Sequence, residues 1–190
     1  MRTVLGVNLI FQSIRFLGLL VVVLAVLIFV ASLWMRLNHI YINTTPSLPL
    51  GFYKIIDESI QKGAHVAFCP PQTEAFDHAL ARGYIGRGNC PGGYSLLLKR
   101  VLAMAGDTVS IDQAGIVVNG VHLPNSAQLK ADANHQPLPL YRFEGVLNDA
   151  EYLLLSDAHP QSFDTRYFGP INHNQIKHVV QPFLTWNATH

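Results

Sequence analysis

Two residues have the types and the settings that acyl-transfer chemistry needs. Ser47 lies in Pro46-Ser47-Leu48-Pro49, and Lys99 lies in Leu96-Leu97-Leu98-Lys99-Arg100-Val101-Leu102-Ala103. An ammonium held among leucines and valines loses hydration, which disfavours its charged form and lowers its pKa. A lysine driven toward neutrality takes a proton from a hydroxyl and so activates a serine. The prolines around Ser47 set the local backbone extended or turned, leaving the hydroxyl outside any helix. Acyl transfer also needs donors aimed at the developing oxyanion, and the Ser47 N–H and the Thr45 hydroxyl are the candidates. A neutral lysine needs an orienting partner, for which Ser162 is the candidate. Asp164 and Arg166, two apart on an extended segment, would share one side and pair to hold it. Each feature also has a plainer reading. A strand-end lysine snorkels to solvent, a serine between prolines is a polar turn, and an exposed Asp–Arg pair is worth little.

The elements that must position these residues follow from the rest of the 190-residue chain. Hydrophobic residues make up 49% and charged ones 13%, well below the roughly 25% charged of ordinary soluble domains. A formal net charge of +1 gives no reason to expect a nucleic-acid partner. From Phe16 to Met35 no residue is charged, and such a run makes roughly 30 Å of helix, enough to cross a bilayer. The run is longer than a signal-peptide core and is followed by Trp34, Met35, Arg36 and Leu37, which reads as a retained anchor. The expected organisation is therefore an N-terminal segment and anchor over 1–38, with the span at about 16–35, and a catalytic domain over 39–190. Arg2 and Arg15 before the span tip the N-terminus toward the inside.

After a short connector over 38–45, the pattern is β. Strands are expected at Phe52–Ile56, Ala64–Phe68, from Leu96 into a Gly106-Asp107 turn, and at Thr108–Ile111, Tyr152–Asp157 and Ile176–Phe183, with Ile116–Leu123 as a hairpin about an Asn119-Gly120 turn. Thr73 to Arg82 reads as a short helix capped by Thr73. Residues 83–93 form a glycine-rich loop that has the outline of a phosphate loop without the strand and helix a nucleotide site requires. A Cys69–Cys90 disulfide would close it, which fits a domain in an oxidising compartment. The polar stretch 125–139 reads as a surface loop. Nine histidines are scattered, and His173 with His178 lacks ligand spacing, so neither a metal nor another cofactor is expected.

Three segments carry a family resemblance. Ser47-Leu48-Pro49, Lys99-Arg100-Val101 leading to Gly106-Asp107, and Ser162-x-Asp164-Thr165-Arg166-Tyr167-Phe168-Gly169 resemble, in order, boxes of the type I (leader) signal peptidases (S26). Thr45-x-Ser47-x-Pro49-x-Gly51-x-Tyr53 and the Cys69-Pro70-Pro71…Gly88-Asn89-Cys90-Pro91-Gly92-Gly93 loop resemble the conjugative-transfer (TraF-like) branch. Leu48 stands where methionine is commoner, and Ser156-Asp157-Ala158-His159 stands where leader peptidases usually carry Gly-Asp-Asn-Arg. The resemblance implies a mainly β, signal-peptidase-like barrel or sandwich behind one transmembrane helix. It implies Ser47 as nucleophile, Lys99 as base, and Ser162 and Asp164 as support. The implied enzyme is a periplasmic-facing serine endopeptidase of the bacterial inner membrane. It would cut leader or pro-sequences, beside small residues, from an exported precursor such as a pilin of a conjugation or type IV secretion system. Water or a substrate amine would resolve the acyl-enzyme, giving hydrolysis or cyclisation. Two alternatives stand beside this: a housekeeping leader peptidase, and a non-catalytic assembly subunit of a secretion apparatus.

Overall fold

The apolar run from Phe16 to Met35 lies inside a helix, α1 (Arg2–Leu37), in the computed structural model, which describes residues 2–156 and 159–186. From Ile14 to Leu37 this helix is long and apolar enough to cross a membrane, and none of that stretch is buried inside the protein. Leu17, Leu20, Val23, Leu27 and Phe29 are all exposed, so the helix is apolar all round rather than on one stripe. Asn38 ends it by donating from its main-chain N–H (3.0 Å) and its side-chain amide (2.9 Å) to the Trp34 carbonyl. Residues 1–40 and 41–190 form separate compact units.

The second unit is built on two sheets. Where the sequence reading has a plain connector, residues extend as β1 (Ile40–Asn43), because β-branched Ile40 and Ile42 favour a pleated backbone. The other strands of the large sheet are β2 (Leu50–Ile56), β3 (His65–Phe68), β4 (Leu97–Ala103), β9 (Glu151–Leu155), β10 (Ile171–Asn172) and β11 (Ile176–Trp186). Their order is β1-β2-β11-β3-β4-β9-β10. The small sheet holds β5 (Thr108–Asp112), β6 (Gly115–Val118), β7 (Val121–His122) and β8 (Phe143–Val146), in the order β7-β6-β5-β8. Asn119 (φ 51°) and Gly120 (φ 81°) make the expected hairpin turn, with both residues at the positive φ that this turn needs. Strands β8 and β10 have no clear alternation and escape the sequence pattern. The result is a mainly β domain, as expected.

The two sheets share a core. Val109, Ile111, Ile116 and Val118 of the small sheet pack with Ala103, Leu153 and Leu155 of the large one. On the opposite side, Val66, Phe68, Val101 and Leu154 pack under Phe76 and Ala79 of the helix α2 (Glu74–Ala81) and under Tyr94. Strand β9 is thus buried on both faces, which explains its near-continuous apolar run. Strand β4 shifts register against β9 between Val101 and Ala103, so these two neighbours in the pattern serve opposite cores. Lys99 shares the Val101 parity, and its partner on β3 is Val66. At Gly51 (φ 142°) a Cβ would lie 2.2 Å from the Leu184 carbonyl oxygen, so β2 and β11 pass too closely there for a side chain.

The glycine-rich loop is stapled as expected. Cys69, just beyond β3, bonds to Cys90, which is 21 residues on and lies in the core with Phe76 and Tyr94. Closing a loop of that length restricts the unfolded chain by about 3 kcal/mol. Replacing both cysteines by serine should therefore lower folding stability by about 2–4 kcal/mol, read from urea unfolding of the full chain in detergent. Extraction under alkylating conditions should label neither cysteine, and labelling of both would exclude the bond in the native protein.

Candidate active site

Ser47 is carried on the loop between β1 and β2, and three side chains shape that loop. The buried Asn43 amide donates to the carbonyls of Thr45 (3.0 Å), Leu48 (3.0 Å) and Pro49 (3.1 Å). The Tyr53 hydroxyl donates to the Pro49 carbonyl at 2.8 Å. Leu48 is buried with Tyr53, Ala67 and Val180, which pins the residue after the serine to the sheet. Leucine in place of the commoner methionine fills that apolar site without a polar atom. Ser47 is left half-buried at the rim. The Thr45 hydroxyl and N–H both donate to Asn43 Oδ1, at 2.9 and 3.2 Å, so this hydroxyl is engaged within its own loop.

Lys99 does not snorkel. It is 3% exposed, and its Nζ donates to Ser162 Oγ at 2.7 Å. Ser162 Oγ is in turn 3.2 Å from Ser47 Oγ. The hydrogen-bonded row is thus Lys99–Ser162–Ser47, with the expected orienting partner standing between the residues expected as base and nucleophile. Burial pushes the Lys99 amine down to about 8 from the ordinary lysine range. The Asp164 carboxylate opposes this by favouring the cation, and Arg166 disfavours it in turn. Because Asp164 and Arg166 are paired, their effects on Lys99 oppose each other and desolvation decides the direction.

Asp164 and Arg166 pair as expected, but by a different geometry and in a different place. They do not lie on one extended segment. Asp164 is the N-cap of the one-turn helix α3 (Thr165–Phe168), and its Oδ1 accepts the Arg166 N–H at 3.2 Å. The Arg166 guanidinium grips the same carboxylate in a fork, Nε to Oδ1 at 2.8 Å and Nη2 to Oδ2 at 2.7 Å. Both side chains are 0% exposed, which removes the surface-pair reading. The remaining guanidinium hydrogens go to main-chain carbonyls. Nη1 donates to Asn125 and Pro160, each at 2.7 Å, and Nη2 to Ser162 at 3.0 Å and His159 at 3.2 Å. The loop carrying Ser162 is therefore tied down by a buried ion pair.

Ser156 completes the arrangement from the end of β9. Its N–H donates to Asp164 Oδ2 at 3.1 Å, and its hydroxyl donates to the Ser47 carbonyl. Asp157 and Ala158, the next residues of that divergent box, lie outside the described residues. A cleft of about 410 Å³ opens beside Ser47 and Ser162, lined by Tyr84, Leu129, Ala131, Leu138, Phe163 and Tyr167 among others. Much of one wall comes from 129–138, so the stretch read as a surface loop faces the cleft. A bridge between Ala131 and Pro137 closes it into a small hairpin. The Tyr84 hydroxyl bonds Asp132, and Arg82 donates to the Pro137 carbonyl at 2.8 Å, which fastens it. Among the described residues, no three His, Cys, Asp or Glu side chains gather as a metal site would require.

The fold brings Ser47, Lys99, Ser162, Asp164 and Arg166 together, leaves Thr45 bonded to Asn43 rather than free as the expected donor, and puts Cys69 and Cys90 at the glycine-rich loop. The sequence reading gives no role to Asn43, Ser156 or Tyr53. The signal for Asn43 was the Asn-x-Thr spacing of an Asx-type turn just before Ser47. Tyr53 acts only four residues back, on a carbonyl that no period marks, and Ser156 acts across 109 residues, which no local pattern reports.

A family model described as signal peptidase, peptidase S26, matches residues 13–185. A plasmid transfer protein TraF of Escherichia coli is 51% identical over 146 residues, covering 76% of this chain and 82% of the relative. A probable conjugal transfer protein TraF of Sinorhizobium fredii is 40% identical over 147 residues, covering 76% and 77%. A conjugal transfer protein TraF of Agrobacterium fabrum is 34% identical over 176 residues, covering 92% and 96%. The solved structure of a signal peptidase I from Enterococcus faecalis aligns with a TM-score of 0.37 and 18% identity, covering 65% of this chain and 98% of that one. The matched residues hold the Ser47, Lys99 and Ser162 segments together, and the chain belongs to the S26 signal peptidase family.

Proposed function

We propose that this chain is a membrane-anchored serine endopeptidase of conjugative transfer. In this reading Lys99, acting through Ser162, activates Ser47 to cut a leader or pro-sequence from an exported precursor. The observation that carries it is the row Ser47 Oγ–Ser162 Oγ–Lys99 Nζ, with spacings of 3.2 and 2.7 Å and a lysine that burial pushes down to about 8. The transfer role follows from relatives described as plasmid or conjugal transfer proteins. The apolar helix Ile14–Leu37 supports the anchor, and the disulfide supports a periplasmic side.

Chemically, neutral Lys99 accepts the Ser162 proton while Ser162 Oγ accepts that of Ser47. The Ser47 oxygen bonds the scissile carbonyl carbon, and the carbonyl electrons move onto oxygen. The Ser47 N–H is the proposed donor to that oxyanion; the Thr45 hydroxyl joins only by leaving Asn43 Oδ1. The amine leaves with the proton returned from Lys99, and an ester to Ser47 remains. Water or a substrate amine then attacks the ester, with Lys99 again as base, and the proton returns to Ser47.

Ser47→Ala and Lys99→Ala should each abolish processing of an exported precursor, followed by mass spectrometry of cells with and without the protein. The double variant should be no worse than either single one, because nucleophile and base act as a unit. Processing that survives Ser47→Ala would leave the chain as an assembly subunit instead.

The pH dependence has a definite sign. The active base is neutral, so kcat/KM should climb as pH rises through about 8 and level above it. Lys99→Arg keeps its charge at every accessible pH and should be inactive throughout. A wild-type rate and limb in Lys99→Arg would move the base elsewhere.

Stability should rise with pH as well. A buried lysine whose folded pKa is lowered to about 8 binds fewer protons folded than unfolded. The resulting penalty is full below about pH 8 and fades as pH approaches the unfolded value near 10.4. Lys99→Met should therefore be inactive yet more stable than wild type at pH 7. Urea midpoints should show that gap closing between pH 8 and 10.

A further inference from the structure

We propose that Ser156 is a positioning residue for the nucleophile, its hydroxyl holding the peptide on the C-terminal side of Ser47. This rests on the reading of Ser47 as the attacking residue. The nucleophile loop is gripped mainly from its own neighbourhood: Asn43 holds the carbonyls of Thr45, Leu48 and Pro49, and Tyr53 holds Pro49 again. The Ser47 carbonyl is held differently, by Ser156 at the end of β9, 109 residues away. With the Thr45 carbonyl fixed on one side and the Ser47 carbonyl on the other, rotation about the Ser47 backbone is restricted at both ends. Those rotations set where Oγ and the Ser47 N–H point, and a misplacement of about 1 Å at such a centre costs about 100-fold in rate.

Ser156 can serve because it is itself immobile. It is 0% exposed, and its N–H donates to Asp164 Oδ2 at 3.1 Å, the oxygen that Arg166 Nη2 also grips at 2.7 Å. One buried ion pair therefore positions the active groups along two routes. Through the Ser162 carbonyl it sets Ser162, and hence Lys99. Through the Ser156 N–H it sets the Ser156 hydroxyl, and hence the Ser47 carbonyl. The pairing of Arg100 with Leu155 carries Ser156 to the level of Lys99, so both routes end at the same place in the sheet. The glycine usual at this position in leader peptidases offers no hydroxyl. The departure at Ser156 is thus an added contact to the nucleophile rather than a decayed box.

The test compares wild type, Ser156→Ala, Ser156→Thr and Ser47→Ala as full chains in detergent. The substrate is a synthetic peptide with alanine on both sides of the bond to be cut. Ser156→Ala should lower kcat about 10–100-fold, with KM within twofold and the acidic limb unmoved. Ser156→Thr, which keeps the hydroxyl, should recover part of the rate. Hydrogen exchange without substrate should rise in Ser156→Ala over residues 44–53 and stay unchanged in α2. Should Ser156→Ala fail to fold, Ser156→Gly is measured in the same way. A folded variant with kcat within twofold of wild type, or unchanged exchange over 44–53, overturns the proposal. A wild type no faster than Ser47→Ala overturns the protease reading instead, and the exchange result still decides whether Ser156 holds the loop.

Discussion

The arrangement around Ser47 depends on one buried ion pair. Removing a carboxylate and a guanidinium from water costs several kcal/mol each, and hydrophobic residues in their place would often be as stable or more so. What Asp164 and Arg166 supply is direction. A guanidinium has five donors in a fixed plane, and here they reach Asp164 and the carbonyls of Asn125, His159, Pro160 and Ser162. Those carbonyls belong to irregular backbone that no sheet ladder could satisfy. Lysine at position 166 would offer three donors from a single point and could not span the same set. The pair is therefore an organiser of loops, and the loops it organises carry the Ser162 and Ser156 hydroxyls.

The same pair explains why Lys99 can be buried near charge without being locked as a cation. Asp164 alone would favour the ammonium strongly enough to oppose desolvation. With Arg166 forked onto it, the carboxylate acts on the amine as one end of a dipole, and the two contributions oppose each other. Desolvation by the apolar surroundings, Val66 opposite and Val101 two residues on, then sets the direction of the shift. A single carboxylate beside the lysine would make a salt bridge, which is a poor base. A carboxylate already satisfied by arginine supports the loop while sparing the amine.

How far the sequence reading reached follows the range of the interactions. Strands with apolar alternation or apolar runs, such as β3, β4, β5, β9 and β11, are legible because the pattern is local. The helix α2 and the Asn119-Gly120 turn are legible for the same reason. Strand β1 hid in what read as a connector, because four residues beside a long apolar helix show no period of their own. The Asp164–Arg166 pairing was visible from spacing, yet its geometry was not. An N-cap aspartate and an arginine in the first turn of a helix meet as readily as two residues of a strand. Their burial came with partners that spacing does not name: Ser156, the carbonyls of His159 and Pro160, and that of Asn125, 41 residues earlier. Ser156 was visible only as a departure from the resemblance, and its partner lies 109 residues earlier in the chain.

The placement of Ser47, the proposed nucleophile, on a loop rather than a strand follows from these constraints. A strand residue has its N–H and C=O committed to ladder partners, so neither side can turn toward a substrate. In the loop 44–49, side chains do the work of the ladder. Asn43 and Tyr53 take up the carbonyls on the near side, and Ser156 takes up the Ser47 carbonyl from across the sheet. The carbonyls of Thr45, Ser47, Leu48 and Pro49 are satisfied in this way, which supports the proposed use of the Ser47 N–H as donor to an oxyanion. Pro46 and Pro49 contribute no N–H of their own, so the loop has two fewer donors to bury. A short segment with few donors, its acceptors held by buried side chains, can be as rigid as a strand and still offer one N–H to a ligand.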